Sequence, residues 1–289
     1  MKKKGIQIED ILKLHNEGLS PIQIASKLDC SLTNISKRLR KKGIEPIRTI
    51  KTWARKNRYH IDESFFEKIN TEAKAYFLGL MYADGSVFKD GFYLKMKDED
   101  ILITFKKVLK AEQNVKYRNY DNYYSYQLFI SSQKMSEDLV NKGCFINKTY
   151  TLKFPTEEQV PKELQRHFIR GYFDGDGSLS LSNNISTCRI DFTSASTDIL
   201  KELRKIIATK AISTGSLSKE SGKSNTWHLR FGGKQVKQLL EWFYKSSTVF
   251  LKRKYDKFLM YNTVQLKSDE LLEKPEEVNQ QPSLELKAL

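Results

Sequence analysis

AYFLGLMYADGS at residues 75–86 and FIRGYFDGDGS at residues 168–178 are two copies of one pattern. In each, a glycine (Gly79, Gly171) is followed four residues on by a small residue (Ala83, Gly175), then by Asp-Gly-Ser starting at Asp84 or Asp176. Residues four apart lie on one helical face. Two such faces let two helix backbones pack closely side by side. Gly85 and Gly177 are then expected to end each helix in a left-handed turn. Asp84 and Asp176 fall at the helix C-termini, where a carboxylate faces the negative end of the helix dipole. Two close carboxylates so placed call for a cation, and oxygen ligands favour Mg²⁺ or a similar ion such as Mn²⁺. A single Asp-Gly is as readily a simple helix stop. Two copies in matched context read as a paired site.

The stretches after the two copies are also alike. After the first come a hairpin turning at Asp90-Gly91, a helix from Asp98 to Lys110, a hairpin turning at Asp121-Asn122, and a helix from Gln133. After the second come a hairpin turning at Asn183-Asn184, a helix from Thr197 to Thr209, a hairpin turning near Gly222, and a helix from Gln235. The expected fold is α+β, with two pseudo-symmetric αββαββα repeats at residues 63–150 and 151–263. Alternation along the strands turns Phe92, Leu94, Met96, Trp227, Leu229 and Phe231 inward. Tyr93, Lys95, Lys97, Arg189, Asp191, Thr226, His228 and Arg230 then point outward.

These residues resemble the LAGLIDADG homing endonucleases in their monomeric two-repeat form. The resemblance runs from about Ser64 to Lys257 and includes Leu152 to Pro155, His167 to Gly171, and Leu251 to Tyr255. Phe77-Leu78 and Ile169-Arg170 replace the eponymous Leu-Ala, and Tyr82 replaces the first acid of the first motif. The last acid of each motif is kept. The resemblance implies a site-specific double-strand DNA endonuclease. Asp84 and Asp176 would hold divalent metal in the minor groove, with the carbonyls of Ala83 and Gly175 as further ligands. It also implies outward sheet faces that contact DNA through Lys95, Lys97, Arg189, His228 and Arg230. When Trp227, Leu229 and Phe231 are aligned with Tyr126, Leu128 and Ile130, Lys234 matches Gln133. The family often has a lysine there beside the scissile phosphate, so both join the candidate catalytic residues. Alternatives on the same scaffold are a cleavage-inactive DNA-binding regulator and an RNA-splicing maturase, the latter with intron RNA as partner. No Cys or Ser begins the chain and no His-Asn ends it, so protein splicing is not expected.

The chain has 289 residues and a net charge of +15, a surplus that points to a polyanion such as nucleic acid. Residues 1–61 hold 15 Lys/Arg against 5 Asp/Glu. Their first part, 1–44, reads as three short helices. Ile11 and Leu14 line the first, and Gly18 stops it. Ser20-Pro21 opens the second, with Ile22, Ala25 and Leu28 inward. Ser31 caps the third, with Ile35 and Leu39 inward. This stretch resembles a helix-turn-helix of the resolvase type, with Asp29 where glycine is usual. Thr33, Asn34, Lys37, Arg38, Arg40 and Lys41 would form the outer face of a recognition helix, and Asn34, Lys37, Arg38 and Arg40 are taken as DNA contacts.

Residues 45–62 read as a basic linker, and 264–289, with 3 Lys against 6 Asp/Glu, as a disordered acidic tail. Cys30, Cys144 and Cys188 form no metal-binding or disulfide pattern. No apolar core follows the lysines at 2–4, and no run is long enough to span a bilayer. The resemblance implies a monomer, and the isolated cysteines and missing apolar run imply a reducing, intracellular setting, cytoplasmic with access to the nucleoid and neither secreted nor membrane-bound.

Overall fold

A computed structural model describes residues 6–44, 59–145, 151–210, 214–222, 224–233 and 235–273, with side chains described as far as residue 266. The chain divides into two compact units between Arg58 and Tyr59.

The first unit holds α1 (Ile8–Asn16), α2 (Pro21–Lys27) and α3 (Leu32–Lys41) around Ile11, Leu14, Ile24, Ala25, Ile35 and Leu39. Ser20 and Gln23 close a reciprocal capping box on α2, and the Ser31 hydroxyl accepts from the Asn34 amide at the start of α3. Asp29 takes φ +49° in the connecting turn, the left-handed conformation that explains the usual glycine. Two expectations change. Ile24 rather than Ile22 faces inward, and Ile22 is exposed, because Ile24 shares a helical face with Leu28 four residues on. Arg38 is half-buried and donates to the Ile6 carbonyl, so it ties α3 to the entry of α1 instead of standing on the outer face.

The second unit is built on α4 (Glu72–Asp84) and α7 (Gln165–Asp176). Each is followed by a four-stranded antiparallel sheet. The first sheet has β1 (Gly85–Phe88), β2 (Gly91–Met96), β3 (Lys116–Tyr120) and β4 (Tyr123–Ile130) in the order β1-β2-β4-β3. The second has β5 (Gly177–Leu181), β6 (Cys188–Ser194), β7 (Ser216–Lys219) and β8 (Trp227–Gly232) in the order β5-β6-β8-β7. The register repeats as well: Gly85 pairs with Leu94 and Gly177 with Phe192, while Leu94 pairs with Leu128 and Phe192 with Leu229. This is the expected α+β architecture of two repeats.

Helices cover the inward faces of the sheets. α5 (Glu99–Val108) and α6 (Gln133–Asn141) pack on Phe92, Leu94, Leu128 and Ile130. α8 (Thr197–Thr209) and α9 (Gln235–Tyr244) pack on Ile190, Phe192, Leu229 and Phe231. Every residue from Ala75 to Tyr82 on α4 and from His167 to Asp174 on α7 is buried, as befits a helix enclosed on all sides.

The last element among the described residues is α10 (Lys252–Glu273). It carries helix into the stretch from 264 that composition assigned to a disordered tail. Leu266, Glu270, Leu271 and Leu272 are good helix formers and extend a helix already begun. Residues 274–289 lie outside the described residues, as do 45–58 of the linker. Asp62, counted in that linker, donates its amide to the Leu109 carbonyl of repeat one. No described helix is long and apolar enough to cross a membrane.

Candidate nuclease site

The two motif helices meet through their glycines. A Cβ on Gly79 would overlap the Phe168 carbonyl oxygen, and one on Gly171 would overlap that of Tyr76. A Cβ on Gly175 would overlap Ala83 and lie 3.0 Å from Asp84 Oδ2. The contact thus runs to the last turn of both helices and brings Asp84 to the backbone that carries Asp176. Both acids are half-buried, each directly ahead of the first strand of its sheet.

Gly85 and Gly177 do not take left-handed turns. Their φ,ψ values of −80°, 148° and −88°, 161° are extended, because the chain passes straight from helix into strand. They are required for a different reason: a Cβ on Gly85 would overlap Met81, and one on Gly177 would overlap Phe173.

The C-terminus of α7 is neutralised from below by Lys254. This ammonium is 1% exposed, donates to the carbonyls of Phe173, Asp174 and Gly177, and lies 4.4 Å from the Phe173 ring centroid. Burial brings Lys254 down to about 8, against the attraction of Asp174, Asp84 and Asp176. The corresponding end of α4 has a neutral donor, since Cys144 Sγ approaches the Met81 carbonyl at 3.4 Å. The two halves of the site therefore differ in charge.

Beneath this layer is a buried polar network. Asp174 accepts from the Tyr76 and Tyr244 hydroxyls at 2.8 and 2.7 Å and from the Leu251 amide at 2.8 Å. Burial raises its carboxyl above the ordinary value despite Lys254. Tyr82 occupies the matching place on α4 and donates to the Lys142 carbonyl at 2.5 Å. Each motif helix is thus pinned to the chain segment after its repeat's last helix, by a carboxylate in one half and a phenol in the other. Arg170, fully buried, donates to Glu72 at 2.7 Å, to the carbonyls of Phe243 and Val249, and lies 3.0 Å from His167 Nδ1. Burial and the Arg170 charge push His167 down to about 4.

The other sequence candidates are spread more widely. Gln133 opens α6, and its amide donates to Glu137 at 2.8 Å. Lys234 lies outside the described residues. Arg189 is exposed on the outer face of its sheet, and Lys97, also exposed, lies one residue past the end of β2. Lys95 sits 4.8 and 5.0 Å from the ring centroids of Tyr120 and Tyr123. His228 and Arg230 both bond Asp191, at 2.9 Å each. Asn34, Lys37 and Arg40 are exposed on α3. Sequence reasoning missed Lys254 and Asp174 as site components. Both stand in stretches that carry the family resemblance, but nothing in composition shows that an ammonium from α10 reaches under α7.

The donor set that the resemblance implies is two carboxylates, Asp84 and Asp176, and the backbone carbonyls of Ala83 and Gly175. Among the described residues no three His, Cys, Asp or Glu side chains come together to hold a metal. Such a donor set cannot enclose a cation by itself. It suits Mg²⁺, which typically takes one or two carboxylates and completes its shell with water and substrate phosphate oxygens.

Residues 163–258 match the family model described as a LAGLIDADG-like domain. Two curated proteins of Methanocaldococcus jannaschii are similar over part of the chain. DNA-directed RNA polymerase subunit Rpo1C is 30% identical over 138 residues, which is 46% of this chain and 15% of that protein. Probable translation initiation factor IF-2 is 31% identical over 135 residues, 44% of this chain and 11% of that protein. The chain thus spans only a small part of the length of these relatives. Among solved structures, the I-LtrWI LAGLIDADG homing endonuclease bound to target DNA is 12% identical, with TM-score 0.43 over 68% of this chain and 91% of that one. The meganuclease I-SmaMI bound to uncleaveable DNA is 12% identical, with TM-score 0.44 over 71% and 92%. These likenesses are loose, and the architecture rests on the strand order and register above. Residues 163–258, within the second repeat, are thus similar to the LAGLIDADG-like domain.

Proposed function

We propose that the protein is a divalent-metal-dependent, site-specific double-strand DNA endonuclease. The observation that carries this reading is the pair Asp84 and Asp176, held together at the ends of two helices whose glycines admit no side chain between them. A divalent ion bound there would polarise the scissile phosphates and lower the pKa of attacking water. The chain's own part is to hold two carboxylates at fixed spacing. Lys254, bonded to the carbonyls of Phe173, Asp174 and Gly177, offsets the negative end of α7 beneath Asp176. The two sheets begin at these acids, and their outer faces carry Lys95, Arg189, His228 and Arg230 toward the DNA, with Lys97 just past the end of β2. The basic face of α3, with Asn34, Lys37 and Arg40, adds a second DNA contact through the first unit.

The test is incubation with a randomised double-stranded DNA library and Mg²⁺, followed by sequencing of the ends produced. Discrete cut sites are expected. Asp84→Asn and Asp176→Asn should each abolish double-strand cleavage yet keep most of the affinity, because binding is distributed over many phosphate contacts. Full cleavage by either variant would overturn the assignment.

A further inference from the structure

The outer faces of the two sheets have different chemistry. In repeat two, Asp191 lies between two partners. Its carboxylate meets His228 Nδ1 at 2.9 Å and Arg230 Nε at 2.9 Å, and Arg230 Nη1 donates to Ser218 at 3.1 Å. Pairing is direct across the strands: Asp191 stands opposite Arg230, Thr193 opposite His228, and Ser218 opposite His228 on the far side. Arg230 is thus fixed on one edge and still 40% exposed at its side chain. A guanidinium held in this way has lost its rotamer freedom before DNA arrives. It is a planar fork of donors, the shape that matches O6 and N7 of guanine in the major groove.

Repeat one presents aromatic rings in place of such a network. Phe88 and Phe129 stack at 5.6 Å with planes 16° apart, and Phe129 is 43% exposed. Tyr93 stands directly opposite Phe129, and the Tyr120–Tyr123 pair stacks at 4.4 Å. Lys95 is engaged by that second pair, with Nζ 3.3 Å from the Tyr123 hydroxyl. An exposed phenylalanine such as Phe129, stacked on the half-buried Phe88, gains little in water, so an apolar partner surface is the economical explanation. In the major groove that surface is the C5-methyl group of thymine.

We infer that the two sheets read the two halves of one DNA site by different chemistry. Arg230, oriented by Asp191, specifies guanine in the half under repeat two. The Phe88–Phe129 pair specifies thymine in the half under repeat one. The inference rests on the endonuclease reading and adds to it the identity of specificity-determining residues and the asymmetry of the site.

The experiment selects bound sequences from a randomised duplex library, using the full chain with Ca²⁺ and comparing variants by the base preferences they recover. The wild-type chain should recover a site with guanine at one or more positions in one half and a thymine run in the other. Arg230→Ala should erase one guanine preference, a drop of roughly 5- to 150-fold in discrimination at that position. Asp191→Asn should weaken the same preference, together with any preference set by His228, which the same carboxylate holds, and none in the other half. Phe129→Ser should relax the thymine preference in the opposite half only. Thermal melting of each variant identifies any that fail to fold, and Arg230→Lys, which keeps charge but not the fork, repeats the test independently. Uniformly weaker binding with unchanged base preferences, or two halves of like composition, would overturn this inference and leave the endonuclease reading standing. Recovery of no preferred DNA at all would overturn both.

Discussion

At the residue scale the site depends on groups whose charge is set by burial. Lys254 gives its ammonium to three carbonyls and sits where both Asp84 and Asp176 are felt. Lys254→Met should slow single-turnover cleavage by roughly 10²-fold, the usual effect of deleting one electrostatic stabiliser. It should also tighten Mn²⁺ binding, because a positive charge near the carboxylates competes with the metal. A purely structural lysine would lower the melting temperature without tightening metal binding, so titration with Mn²⁺ separates the roles. His167 supplies a pH test. Its ordinary value of 6.5 falls to about 4 beside Arg170, Glu72 and Arg166. The unfolded chain therefore takes up this proton near 6.5 and the folded chain only near 4. Stability from this group is complete above about 6.5 and lost as pH drops toward about 4. Denaturant unfolding at pH 7 and pH 4.5 should show that loss, on the order of 2 kcal/mol, and His167→Gln should show less of it. The acids Asp84 and Asp176 were legible from spacing alone, since two copies of one pattern announce them. Lys254, Asp174 and His167 were not. Lys254 and Asp174 take their meaning from partners 70 or more positions away, such as Tyr244 for Asp174, and His167 from burial beside Arg170 and Glu72, and no local pattern encodes that.

At the element scale the decisive contact is α4 against α7. Strand and helix positions in both repeats follow from alternation and turn residues, and the hairpin at Asp121-Asn122 and helix from Thr197 to Thr209 stand as the pattern predicts. Glycine's reason was less legible. Gly85 and Gly177 look like helix stops, yet their backbones are extended and their lack of a side chain admits Met81 and Phe173. Sequence shows that a glycine is present but not which neighbour demands it. Gly171, like Gly79, is a sharp case, since its absent Cβ would overlap the Tyr76 carbonyl oxygen and lie 3.0 Å from the Leu80 amide nitrogen. Both neighbours are backbone and cannot rotate away. Gly171→Ala should therefore force the helices apart and cost about 3 kcal/mol, the upper end for overpacking, despite alanine's better helix propensity. Thermal or denaturant unfolding reads this directly. A variant as stable as the wild type would mean the helix pair is not as close as its glycines require.

At the scale of the whole molecule, charge and cores are divided unequally. The first unit has its own small core of Ile11, Leu14, Ile24, Ala25, Ile35 and Leu39. The second has a separate core that extends from Phe65 to Tyr261 and includes the two helices that carry the paired acids. Of the 50 Lys/Arg in the chain, 15 fall in residues 1–58, against 5 of the 35 Asp/Glu. This stretch therefore contributes +10 of the net +15 and none of the carboxylates of the nuclease site. Phosphate neutralisation releases counterions, so the logarithm of affinity falls with the logarithm of salt at a slope of about −0.9 per phosphate contacted. Deleting residues 1–58 should lower DNA affinity and flatten that slope, since most of the net positive charge goes with them. The base contacts that define the cut should remain, because they lie on the sheets that begin at Asp84 and Asp176. The truncated chain is then expected to cut at the same phosphates as the full chain, only at higher protein concentration or lower salt. Binding isotherms over a series of salt concentrations, paired with end-sequencing of the products, measure both quantities on one preparation. If the truncated chain cuts at new positions, α3 sets the site and the sheets do not. If its salt slope is unchanged, the basic residues of the first unit do not touch phosphate, and their charge has some other use.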